Sequence, residues 1–142
     1  MHLQGPDTLL ILIAERDQTV RKLQEFFLRR AGFAVEFADD GHAALERARL
    51  ALPSLIVTEV LIPKLDGLAL CRRLREDPLT KDIPVIVFSI LSASARAVDE
   101  ARALSSGADR FLADPTHLSG LFDIVASMHV SAPRGAKATS RA

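Results

Sequence analysis

Leu55-Ile56-Val57-Thr58-Glu59-Val60-Leu61-Ile62-Pro63-Lys64-Leu65-Asp66-Gly67 is the stretch whose reading decides the fold. Its first part is apolar and largely β-branched, with no polar alternation before Thr58. That is the pattern of a strand covered on both faces, as in a parallel sheet between layers of helices. The run delivers one carboxylate, Glu59, to its carboxyl end, and open α/β sheets bind and react at strand ends. Pro63 cannot donate to a ladder, Asp66 is placed to cap a following helix, and Gly67 permits a close backbone approach. The candidate site therefore lies in a loop carried by rigid elements.

Outward from this strand the same punctuation repeats. Leu9 to Ala14 is a first buried strand. Asp17 follows as an N-cap, and Val20, Leu23, Phe26, Phe27 and Ala31 recur at helical spacing up to the stop at Gly32. Phe33 to Ala38 alternates Phe33, Val35 and Phe37 as a half-buried strand, and Asp39-Asp40-Gly41 turns into a helix over about 42–50. Asp66 opens a helix carrying Leu68, Leu70, Cys71 and Leu74, which Asp77-Pro78 ends. Arg72, Arg73 and Arg75 read as its solvated face, and Cys71 as a small core residue. Pro84 introduces the buried strand Val85 to Ser89; Ser94 to Ser106 forms a helix with Val98, Ala101 and Leu104 inward and Gly107 as its stop. Arg110 to Ala113 is a short fifth strand, and Asp114-Pro115 turns into a last helix with Leu118, Leu121, Phe122, Val125 and Met128. Strands alternating with helices imply a doubly wound α/β fold: one five-stranded parallel sheet with right-handed crossovers.

With 142 residues and 49% apolar content the chain suits a single domain over 9–130, preceded by a loose leader at 1–8. Ser131 to Ala142 holds Arg134, Lys137 and Arg141 without an acid and reads as a disordered basic tail. Because basic residues balance acidic ones at 18 each and three of them sit in that tail, the domain itself is mildly acidic, which argues against nucleic acid as a partner. The apolar run at 9–14 is far too short for a membrane span, and the start of the chain lacks the basic and small-residue marks of a secretory signal. Cys71, with no second cysteine to pair, and the absence of Cys/His zinc spacing point to a reducing cytoplasm. Glu15-Arg16-Asp17-Gln18 after the first strand has no glycine, so neither a phosphate-binding nor a dinucleotide loop is present there. His42, His117 and His129 are dispersed and carry no assigned role.

In spacing, the chain resembles the receiver domain of two-component response regulators over about 9–130. Ile11 to Asp17 is similar to that family's first strand and its acidic pair, and Pro53 to Gly67 to the phosphoacceptor strand with its Pro-x-x-Asp-Gly turn. Asp82 to Ser89 matches the strand ending in the switch Ser/Thr, and Gly107-Ala108-Asp109-Arg110-Phe111-Leu112-Ala113-Asp114-Pro115 matches the fifth-strand run. The resemblance implies a flavodoxin-like, CheY-like (βα)5 fold, with Ser89 and Phe111 as switch residues. Ser89 also reads as a local backbone cap, Phe111 as packing, and Glu15 with Asp17 as a turn and helix cap.

The same alignment places Glu59 where the family keeps its phosphoacceptor Asp. Arg16 takes the place of the second metal-binding acid, and Asp114 that of a Lys. Ile90 falls where a small residue gives access to the phosphoryl group. Mg²⁺ wants hard oxygen ligands in octahedral array, so the guanidinium of Arg16 removes an oxygen and repels the ion; metal binding is expected to be lost or very weak, with no other cofactor. Glu59 is one methylene too long for chemistry sensitive to displacements of ~1 Å, and Asp114 repels developing phosphoryl charge. What the resemblance then implies is a pseudo-receiver, a non-enzymatic adaptor of two-component signalling acting without phosphorylation. Its partner would be a histidine kinase or downstream regulator, and it would be a monomer or weak dimer. The alternatives are a phosphorylatable regulator using Glu59 or a receiver binding a small ligand. The family's interaction face would here include Arg96, Arg102, Arg110, Phe111 and His117. A final expectation is that Arg16, with its planar fork, bridges Glu59 and Asp114 and holds both ionised.

Overall fold

The computed structural model describes residues 9–89 and 93–112 together with positions 123 and 127, and between 93 and 96 the backbone alone. The expected leader, last helix and tail, with Ile90, Asp114 and His117, lie outside the described residues. In chain order the elements are β1 Leu10–Ala14, α1 Gln18–Arg30, β2 Ala34–Ala38, α2 Gly41–Ala51, β3 Leu55–Glu59, α3 Gly67–Glu76, β4 Val85–Phe88, α4 Ala93–Ser105 and β5 Arg110–Leu112. The strands form one parallel sheet in the order β2-β1-β3-β4-β5. The order reverses between β1 and β3, and that reversal opens a crevice at their carboxyl ends.

Successive strand residues serve opposite faces. Ile11, Ile13, Leu55, Val57, Ile86 and Phe88 pack with Leu28 of α1, whereas Leu12, Ala14, Ile56, Val85 and Val87 pack with side chains of α2, α3 and α4. Both sets are buried, and at about 1.5–3 kcal/mol per large aliphatic side chain they hold the layers together. Asp17, Asp40 and Asp66 cap α1, α2 and α3, each accepting a backbone N–H from the first turn. Cys71 is fully buried, and burial pushes its thiol up to about 11, so it is inert packing. No helix of the described residues is long and apolar enough to cross a membrane.

Three helix faces differ from expectation. On α1 the buried line is Gln24 and Leu28, with Val20 partly covered, and Leu23, Phe26 and Phe27 are exposed. The sheet accepts one narrow stripe of this helix, and Phe26 and Phe27 instead meet edge to face at 5.2 Å while Arg30 lies over Phe26. On α4 the expected inward set is reversed. Val98, Ala101 and Leu104 face solvent, and Asp99 and Ala103 are buried, together with Ser106 just past the helix end. On α3, Arg75 is no solvated residue. It donates to the carbonyls of Gly107, Lys81 and Ile83 and to Asp109, whereas Arg72 and Arg73 are exposed as expected, Arg72 also reaching the Ser106 hydroxyl at 3.0 Å.

Candidate functional site

The ladder brings the carboxyl ends of four strands to one rim. Ala14 of β1 pairs with Thr58 of β3, which sets Glu15 beside Glu59, and Glu59 in turn pairs with Phe88 of β4. The Val60 N–H donates to the Phe88 carbonyl at 2.9 Å and the Ser89 N–H to the Leu112 carbonyl at 3.2 Å, so β4 and β5 continue the rim. The β3–α3 loop is clamped from beneath. The Gly67 N–H donates to the Val60 carbonyl and the Gly41 N–H to the Pro63 carbonyl, and a Cβ at Gly67 would stand 2.2 Å from the Glu59 carbonyl oxygen. Only glycine allows that approach.

Glu15 is buried, and one of its carboxylate oxygens accepts the Asp17 N–H at 2.9 Å. Burial raises its carboxyl above the ordinary value and the Asp17 charge adds to this; the N–H bond to Asp17 and the positive charge of Arg21 work against it. Glu59 is half-buried, and its carboxyl is also raised, first by burial and then by the neighbouring Glu15, with Arg16 opposing and Asp17 reinforcing. Glu15 thus hinders the ionisation of Glu59.

Arg16 is exposed and forms no ion pair among the described residues, so the expected bridge to Glu59 is not made. The reason is directional. Glu15, whose N–H donates to the Ala38 carbonyl at 3.1 Å, takes the buried position beyond β1, and the next residue is left facing water. Arg16 lowers the Glu59 carboxyl only at range, and burial outweighs it. The other half of the expected bridge, Asp114, lies outside the described residues.

Ser89 is 2% exposed and its hydroxyl donates to Asp99 Oδ2 at 2.9 Å, a side-chain partner on α4. Phe111 is partly buried against the cluster beneath α2, α3 and α4; Arg110 and Arg102 are exposed nearby, and Arg96 lies in α4 with its side chain outside the described residues. The structure therefore gathers Glu15, Glu59 and Ser89 at one rim, leaves Arg16 outside it, and puts Phe111, Arg102 and Arg110 on the α4–β5 flank. Among the described residues no group of three or more His, Cys, Asp or Glu side chains is placed to hold a metal ion.

Three contributors escape sequence reading. Arg21 donates through Nε to the Glu15 carbonyl, pairs through Nη2 with Asp39 at 2.5 Å and lies 5.0 Å from the centre of the Phe37 ring, tying α1 to the end of β2. Helical spacing marks Arg21 only as polar, and nothing in the sequence signals its contacts. Asp39, expected in a turn, is the second, and Asp99 the third.

The chain matches the family described as Response regulator receiver domain over residues 11–126. It is 37% identical over 109 residues to the transcriptional regulatory protein CseB of Streptomyces coelicolor, covering 77% of this chain and 44% of that protein. The chain thus spans less than half of that relative's length. Among solved structures, a putative response regulator from Chloroflexus aurantiacus superposes with a TM-score of 0.71 at 31% identity, covering 84% of this chain and 98% of that one. The receiver domain of the sensor histidine kinase PA1611 from Pseudomonas aeruginosa, with a magnesium ion coordinated in its active-site cleft, gives 0.74 at 26% identity, covering 84% and 96%.

Proposed function

The chain belongs to the response regulator receiver domain family, and from that premise we propose that it serves two-component signalling as a pseudo-receiver, a non-enzymatic adaptor that binds a protein partner without accepting phosphate. One observation carries this reading. The rim where the family places its acid and metal chemistry holds two carboxyls, Glu15 and Glu59, that burial disfavours as anions, Glu15 further by the charge of Asp17 and Glu59 by that of Glu15. A third negative group arriving as a phosphoryl oxyanion meets the same field, and compensation for it has to come from a cation.

Arg16 does not fill that place, because its side chain is exposed and unpaired among the described residues. Mg²⁺ binding is accordingly expected to be very weak or lost. The α4–β5 flank supports a role in contact: Val98 and Leu104 are exposed beside Arg102, Arg110 and the half-buried Phe111. A histidine kinase or a downstream regulator is the kind of partner this family context offers.

The test is incubation with a small phosphoryl donor and Mg²⁺, read by mass spectrometry, beside a Mg²⁺ titration followed by NMR. The expected result is an unlabelled chain whose rim resonances do not move. Mg²⁺-dependent labelling that disappears in Glu59→Gln overturns the proposal and makes Glu59 a working acceptor.

A further inference from the structure

Ser89 and Asp99 form a polar pair in a place built for apolar packing. Ser89 is 2% exposed and Asp99 5% exposed, and the hydroxyl and carboxylate meet at 2.9 Å between the end of β4 and α4. Four residues beyond Asp99, on the same face, Ala103 is fully buried, while Val98 and Leu104 stand in solvent. Burying a carboxylate is costly unless it is hydrogen-bonded, and a helix with apolar side chains to spare would be held more tightly by burying them. Stability alone therefore disfavours this orientation of α4; the Ser89 hydroxyl is what makes it tolerable.

We propose that the bond between Ser89 and Asp99 is a lock that holds α4 in one orientation on the sheet and so fixes how Val98, Arg102 and Leu104 are displayed. Ser89 sits directly after Phe88, the strand partner of Glu59, so the lock is anchored at the rim. The bearing of the lock on a partner rests on the reading of this chain as an adaptor that works without phosphate; the lock itself is a property of the resting molecule.

Amide hydrogen exchange of the full chain, with no phosphoryl donor present, tests it. In Ser89→Ala and in Asp99→Ala the α4 amides from Ala97 to Ser105 are expected to exchange about tenfold faster, with β1 and β3 unchanged. Asp99→Asn, which keeps an acceptor oxygen, is expected to retain most of the protection. Wild-type exchange in α4 of both alanine variants overturns the lock. Should either variant loosen every element alike, the double substitution decides: strong coupling of the two effects supports the lock, and additive effects overturn it. Donor labelling of the unmodified chain addresses the adaptor reading separately, so the two can fail independently.

Discussion

Glu59 is the residue at which the electrostatics of the rim can be read as stability. Folding raises its carboxyl above the ordinary value of 4.5, mainly by burial and next by the charge of Glu15. The protonated form is therefore the one the fold prefers. Its stabilising contribution is present below about 4.5 and is lost as pH rises through the raised folded value. Glu59→Gln should accordingly stabilise the protein at neutral pH, with the gain shrinking as pH falls through the raised folded value and gone below about 4.5; urea unfolding at neutral and acid pH measures it. A gain that is the same at both, or none, would show that the carboxyl is effectively solvated. The expectation from sequence had the opposite sign, because it placed Arg16 against Glu59 and so depressed the carboxyl. Which acids end strands was legible from the apolar runs before them; which way Arg16 points depends on the ladder continuing through Glu15 to Ala38, a contact between distant residues. Since Arg16 is exposed and acts at range, Arg16→Ala should change stability by less than about 1 kcal/mol at neutral pH. A larger loss in the same denaturation series would restore the buried ion cluster.

At the scale of elements, the β3–α3 loop is where local conformation and site meet. A Cβ on Gly67 would lie 2.2 Å from the Glu59 carbonyl oxygen, and one on Gly41 would lie 1.8 Å from that of Leu65. Both obstacles are backbone. Gly67→Ala should therefore cost about 2–3 kcal/mol, like other overpacking that forces backbone shifts, and should displace Glu59; a thermal melt together with the Glu59 backbone resonance checks both. Lys64 in the same loop adopts a φ of 71°, a conformation that suits Asn far better than Lys. Its ion pair with Asp40 spans 3.5 Å at the surface and is worth little. Lys64→Asn is thus expected to raise stability by about 0.5 kcal/mol in the same melts, and a decrease would mean that the pair outweighs the strain. The order and nature of the elements followed from period and punctuation, but helix faces did not. Val98, Ala101 and Leu104 were expected to turn inward because they are apolar at helical spacing. The structure turns Asp99 inward instead, since its partner Ser89 lies on another element and helical periodicity records only a helix's own residues.

Across the whole molecule, the sheet is uneven. β1, β2 and β3 have five residues each, whereas β4 has four and β5 three, so the far edge depends on something besides its ladder. Arg75 supplies it. From α3 it donates to the Gly107 carbonyl at 2.9 Å, the Ile83 carbonyl at 2.7 Å, the Lys81 carbonyl at 3.1 Å and Asp109 Oδ2 at 2.8 Å, and the same carboxylate oxygen accepts the Val85 N–H at 2.9 Å. One guanidinium thus joins α3 to the start of β4 and to the turn before β5, where Gly107 has a φ of 107° and a Cβ would stand 2.7 Å from the Arg75 side chain. The run Gly107-Ala108-Asp109 was readable as a family pattern, but its counterpart lies 32 to 34 positions away on a helix face that looks merely solvated in sequence. Arg75→Met keeps the aliphatic stem and removes every donor, leaving three carbonyls and the Asp109 carboxylate without that partner. The expected loss is about 3 kcal/mol, in the range for breaking a partly buried charged network. Arg75→Lys should recover only a fraction, because a single ammonium cannot span four acceptors that a planar fork reaches together. Hydrogen exchange would place the damage: β4 and β5 amides should lose protection while those of β1 and β2 keep theirs. A methionine variant within about 0.5 kcal/mol of the unmodified chain, the usual spread for surface substitutions, would return Arg75 to the solvated face.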